Sequence, residues 1–197
     1  MNKNKKNSGF TLIELLIVLV VGGLIIAAAM ALYTKNQNTT NARTIAQDYQ
    51  SLSSGIKSSF GNDEAGFKSL TSATVCQLGL LNSNFSYNKD CTGEIKNKYS
   101  GTVTITPAAD DGTKANAFSI EEDKVPSEVI NKVITQLGTE GTLGISVNGT
   151  CVYSAGVTGS EAATGCSNTA ASGFNAATLA TALSSTNNGK FVIAYGM

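Results

Sequence analysis

Histidine and tryptophan are absent from this 197-residue chain, and charged residues make up only 14%, against roughly 25% in ordinary globular proteins. Without histidine there is no imidazole general acid or base, no Ser-His or Cys-His nucleophile, and no zinc site built on imidazole. Fourteen basic and fourteen acidic residues cancel to a formal charge of zero, so the electrostatic footprint of a nucleic-acid binder is missing. None of the four cysteines stands in the short Cys-x-x-Cys spacing of a zinc site. No cofactor and no metal are expected, and the composition argues against an enzyme.

The apolar residues are present but unevenly spread. The stretch Phe10–Tyr33 holds 24 residues and a single charge, Glu14. At 1.5 Å per residue it is long enough to cross a hydrocarbon core of about 30 Å. Lys3, Lys5 and Lys6 precede it and no lysine lies inside it, which predicts a cytoplasmic N-terminus. A secretory signal peptide would have a shorter apolar region, about 7–15 residues, and a small-residue cleavage site after it; no convincing site follows Tyr33. A plain membrane anchor explains everything except Glu14. A carboxylate near the end of a spanning helix costs roughly a few kcal/mol and marks a function.

The run Ser8-Gly9-Phe10-Thr11-Leu12-Ile13-Glu14-Leu15 resembles the processing motif of type IV prepilins and the related pseudopilins. The leader is short and basic and ends in glycine; an aromatic residue follows, and glutamate is the fifth residue of the mature chain. The resemblance implies cleavage between Gly9 and Phe10 by a membrane prepilin peptidase at the cytoplasmic face, N-methylation of Phe10, and retention of the apolar helix. It implies a subunit held in the bacterial inner membrane with its head in the periplasm. The pilus assembly machinery then adds it to a helical homopolymer outside the cell, where a host or bacterial surface receptor is a further partner. In such a filament the apolar helices pack together, and each brings an α-amino cation into a low-dielectric core. A carboxylate at the right height on a neighbour offsets that cost, which is the assembly role expected of Glu14.

The helix does not stop at the membrane edge. Between Asn38 and Phe60 there is no proline, and Ala42, Ile45, Tyr49, Leu52, Ile56 and Phe60 recur at spacings of three or four, one apolar stripe on a helix. Gln47, Asp48, Gln50 and Lys57 are assigned to its polar faces. Gly22-Gly23, each costing roughly 1 kcal/mol relative to alanine in a helix, mark close helix packing or a local weak point. Further on, Ser72–Leu81 reads as a short helix, Thr102–Thr106 and Ala117–Glu121 as strands, and Pro126–Leu137 as a helix with Val129, Val133 and Leu137 on its face. Gly144–Tyr153 is one bent strand or a hairpin at Asn148-Gly149. Residues 154–173 are loop-like, Asn175–Leu183 is a short helix and Lys190–Tyr195 a closing strand. The sum is an α+β fold: a long N-terminal helix packed on an antiparallel sheet. The expected divisions are a leader at 1–9, a transmembrane and filament-core helix at 10–34, and a globular head at 35–197 that includes the second half of the long helix.

Cys76, Cys91, Cys151 and Cys166 allow three connectivities. The translocated side of a bacterial membrane is oxidising, so disulfides are expected. The two near pairs, Cys76–Cys91 and Cys151–Cys166, are each 15 residues apart, and the chain-entropy model gives about 3 kcal/mol for a loop of that size. The acid runs Asp110-Asp111 and Glu121-Glu122-Asp123 read as solvated turns. The triplets beginning at Asn38, Asn84 and Asn148 match a glycosylation sequon by chance.

Three functions compete. The first is the major subunit of a type IV pilus serving adhesion, aggregation, motility or conjugal contact. The second is a minor pilin or a pseudopilin of a type II secretion system. The third, a membrane-anchored enzyme or sensor, lacks a catalytic group. The large C-terminal half and four cysteines resemble type IVb pilins, whereas the nine-residue leader and Phe10 resemble the type IVa group; the major, type IVb-like pilin is the reading adopted.

Overall fold

The computed structural model describes residues 11–110, 114–155, 166, 173–184 and 186–196. Two compact units divide the chain, Met1–Thr40 and Asn41–Met197, and the helix α1 (Leu12–Phe60) contributes to both. In the first unit α1 is built mainly of leucine, isoleucine, valine and alanine as far as Leu32, and turns polar from Thr34 to Thr40. Leu12, Ile17, Val20, Leu24, Ile26 and Leu32 are all more than half exposed. A helix apolar all round has no soluble resting place on its own and needs lipid or like helices.

The second unit is organised differently. Its part of α1 buries Ala42, Ile45, Tyr49, Leu52, Ile56 and Phe60, the stripe expected from the sequence. Against them stands one six-stranded sheet in the order β1-β2-β3-β6-β4-β5. Its strands are β1 (Ile95–Lys96), β2 (Thr102–Asp110), β3 (Ala115–Pro126), β4 (Thr142–Val147), β5 (Thr150–Ser154) and β6 (Asn188–Gly196), every neighbour antiparallel. The last strand of the chain thus closes the sheet between two earlier hairpins. Helices α2 (Ser72–Gln77), α3 (Ser127–Leu137) and α4 (Ala176–Ser184) complete the unit. Tyr49 stacks on Phe191 of β6 at 5.4 Å. Phe118 meets Phe67 edge-on at 4.8 Å and stacks on Tyr195 at 5.4 Å. Each such burial contributes about 1.5–3 kcal/mol; the first pair joins α1 to the sheet, the second seats the loop after α1 on β3, and the third lies within the sheet.

Several elements depart from the sequence reading. The helix expected to reach Leu81 ends at Gln77, because Gly79 takes φ +68° and turns the chain. The strand expected to stop at Thr106 continues to Asp110, since its ladder to β3 runs through Pro107↔Phe118 and Ala108↔Ala117. The strand expected to stop at Glu121 runs to Pro126, so Glu121-Glu122-Asp123 is no solvated turn: Glu122 is 1% exposed inside β3. The register of β3 shifts between Glu122 and Val125, and Lys124 sits at φ +57°. Gly101 is required beside this bulge, because a Cβ there would lie 1.8 Å from the Asp123 carbonyl oxygen. Gly144–Tyr153 resolves as a hairpin, with Asn148 at φ +51° and Gly149 at φ +77°, the positive pair that a two-residue turn of this hand needs. Most of 154–173 lies outside the described residues.

Candidate functional site

At the start of α1, Thr11 and Glu14 close a reciprocal cap. The Thr11 backbone N–H donates to Glu14 Oε2 at 3.0 Å, the Thr11 hydroxyl donates to the same oxygen at 2.9 Å, and the Glu14 N–H donates to Thr11 Oγ1 at 3.3 Å. The S/T-x-x-E pattern satisfies two of the otherwise orphaned N–H groups at a helix start. Glu14 therefore begins the helix as well as charging it. The sequence reading assigned no part to Thr11, although Thr-Leu-Ile-Glu is itself the signal. The carboxylate stands at the head of an apolar helix, one long and apolar enough to cross a membrane. Gly22 and Gly23 leave open space on two faces of that helix: a Cβ at either would meet nothing within 4 Å. Gly9 and Phe10, the processing residues, lie outside the described residues.

In the second unit the four cysteines are joined as two bridges, Cys76–Cys91 with Cα atoms 5.6 Å apart and Cys151–Cys166 with Cα atoms 4.8 Å apart. The first ties α2 to the segment before β1. The second ties β5 to a residue in the Gly/Ser-rich stretch that follows it. Among the described residues no group of three or more acids and cysteines is placed to hold a metal.

The sequence also gave no warning of two buried carboxylates. Asp48, assigned to a polar face of α1, is 7% exposed. It accepts from the side-chain amides of Asn82 and Asn84, the latter at 2.9 and 3.0 Å. Glu122 accepts from the Asn97 amide at 3.0 Å, while the same amide donates to the Asp123 carbonyl at 2.9 Å. The Asn97 oxygen takes the N–H groups of Tyr99 and Gly101. Burial pushes the Glu122 carboxyl from 4.5 up to about 7; the Asn97 bond opposes this, Asp48 adds to it and Lys98 opposes it. Asn148 is used internally as well, donating to the Ala182 carbonyl and accepting from Lys190 N–H. Two of the three sequon asparagines, Asn84 and Asn148, thus have their amides engaged in the fold.

A family model described as PilS N terminal matches residues 32–192, and one described as the prokaryotic N-terminal methylation motif matches residues 4–30. Among solved structures, a type IVb pilin from Salmonella typhi aligns with a TM-score of 0.51 at 20% identity, covering 78% of this chain and 99% of that one. TcpA, a type IV pilin from Vibrio cholerae El Tor biotype, aligns with a TM-score of 0.50 at 20% identity, covering 82% and 99%. No curated protein matches the chain.

Proposed function

The chain belongs to the PilS N-terminal family and is a type IV pilin, and from that premise we propose that it is the major, type IVb-like subunit of its filament. The observation that carries this reading is the division of α1: an apolar half whose leucines, isoleucines and valines are exposed among the described residues, headed by one carboxylate, and a second half committed to a disulfide-linked head. A subunit of that kind rests in the inner membrane and leaves it only when neighbouring helices replace the lipid.

In this reading the prepilin peptidase cuts between Gly9 and Phe10 and Phe10 is N-methylated. Removal of the leader takes three lysines and leaves 11 basic against 14 acidic residues, a formal charge of −3. Residues 10–34 form the membrane and filament-core helix, and residues 35–197 the periplasmic head. Glu14 receives the α-amino group of an adjacent subunit, and Thr11 keeps the helix start ordered while it does so. The filament serves adhesion, aggregation, motility or conjugal contact. The test is electron microscopy of producing cells with and without this gene. Loss of all filaments supports the major-subunit reading. Filaments that persist, with loss of protein secretion alone, would replace it with a pseudopilin of a type II secretion system.

A further inference from the structure

Two buried carboxylates from different layers hold one segment of chain. Asp48, on α1, binds Asn82 and Asn84. Glu122, on β3, binds Asn97. The segment between these anchors carries Cys91, the exposed Tyr87 and the short strand β1, and it packs Phe85 and Ile95 into the core. Gly55 of α1 seats the chain just ahead of this segment, since a Cβ there would lie 3.0 Å from Leu80 Cδ2. The titratable neighbours of Glu122 are Asp48 and Tyr49 on α1 and Lys98 and Tyr99 after β1. On its own strand, Glu121 is paired with Lys190, and Asp123 accepts from the Lys124 N–H.

We propose that Asp48, Glu122 and Asn97 form a proton-operated clasp: with a proton on the Glu122 carboxyl the 82–97 segment is locked against α1 and β3, and loss of that proton loosens the segment while the rest of the head stays folded. An ionised Glu122, 1% exposed, lacks the water that would screen it, and Asp48 adds to the cost of its charge. Lys98 is the cation that acts on both, and it lies at the surface, so its offset is partial. The direction follows from linkage. The folded carboxyl keeps its proton up to about pH 7, whereas a released one loses it near 4.5. Between those values the closed form binds more protons than the open form, so opening becomes easier as pH rises through the window and levels off above it. Segment-wise release is the form this takes because the 82–97 segment contributes only a two-residue strand, at the sheet edge. The long ladders of β3 and β6 do not depend on it.

The test is hydrogen–deuterium exchange on the full-length protein in detergent micelles at pH 5.5 and 8.0, corrected for intrinsic chemical exchange. Peptides spanning 82–97 are expected to open about tenfold more readily at the higher pH, the equivalent of one pKa unit, with β3 and β6 peptides unchanged. Glu122→Gln should flatten the pH response. Lys98→Met, an exposed change that leaves the fold intact, should move the transition to higher pH, and it decides the matter if Glu122→Gln does not fold. Corrected exchange of 82–97 that ignores pH in the wild type overturns the proposal. So does a response retained in full by Glu122→Gln, a Lys98→Met transition that does not move, or a loosening spread evenly over the whole head.

Discussion

The segments Leu12–Tyr33 and Asn41–Phe60 share one helical backbone and have opposite surroundings. The first exposes leucine, isoleucine and valine on every face; the second buries nine residues and turns Arg43, Gln47, Gln50 and Ser54 to solvent. What separates them is the period of the apolar pattern. An unbroken apolar run leaves the choice of neighbour open, to lipid or to other copies, whereas a stripe at three and four fixes one neighbour, the chain's own sheet. The same helix can therefore belong to a folded head and to a polymer without either demand disturbing the other.

The largest effect should come from the first segment. Glu14→Val removes a charge from an apolar span, so membrane insertion should be unimpaired, and cleavage after Gly9 should continue. Assembly should fall by a hundredfold or more, since leaving an α-amino cation unpaired in a filament core costs about 3–5 kcal/mol at every added subunit. The ratio of sheared filament to processed membrane subunit measures this, and normal piliation would mean that Glu14 only caps its own helix.

Two tyrosines sharpen the contrast. Tyr49→Ala should lower head stability by about 3–5 kcal/mol, as loss of a large buried aromatic does, because Tyr49 is fully buried and stacks on Phe191. Tyr33→Ala, at a site 62% exposed, should leave the denaturation midpoint of the head unchanged. Equal effects would erase the distinction between the two segments. Within the head, replacing Cys151 and Cys166 together by serine should cost about 3 kcal/mol in denaturant titration. At the small end, Glu121→Gln breaks a 3.2 Å ion pair with Lys190 whose side chains are 29% and 44% exposed, and should cost no more than about 1 kcal/mol.

The same contrast explains what could be read in advance. The stripe Ala42, Ile45, Tyr49, Leu52, Ile56 and Phe60 was legible because helical burial repeats locally, and the Asn148-Gly149 turn because its dihedrals demand those residues. The apolar run and its glutamate were legible because a membrane imposes length and a charge inside it is conspicuous. Asp48 and Glu122 were not. Each looks like an ordinary surface acid beside polar neighbours, and its burial is made possible by asparagines 34, 36 and 25 residues away. No local period reports a partner at that distance. The full length of β3 was hidden for the same reason, since three acids in a row break the alternation that marks a strand.

Intact mass spectrometry of sheared surface filaments tests the central claim most directly. The dominant species should have the mass of residues 10–197 with both disulfides closed and one methyl group added. Filaments that lack this chain, or that carry it with Met1–Gly9 still attached, would contradict the account of a processed, membrane-drawn pilus subunit.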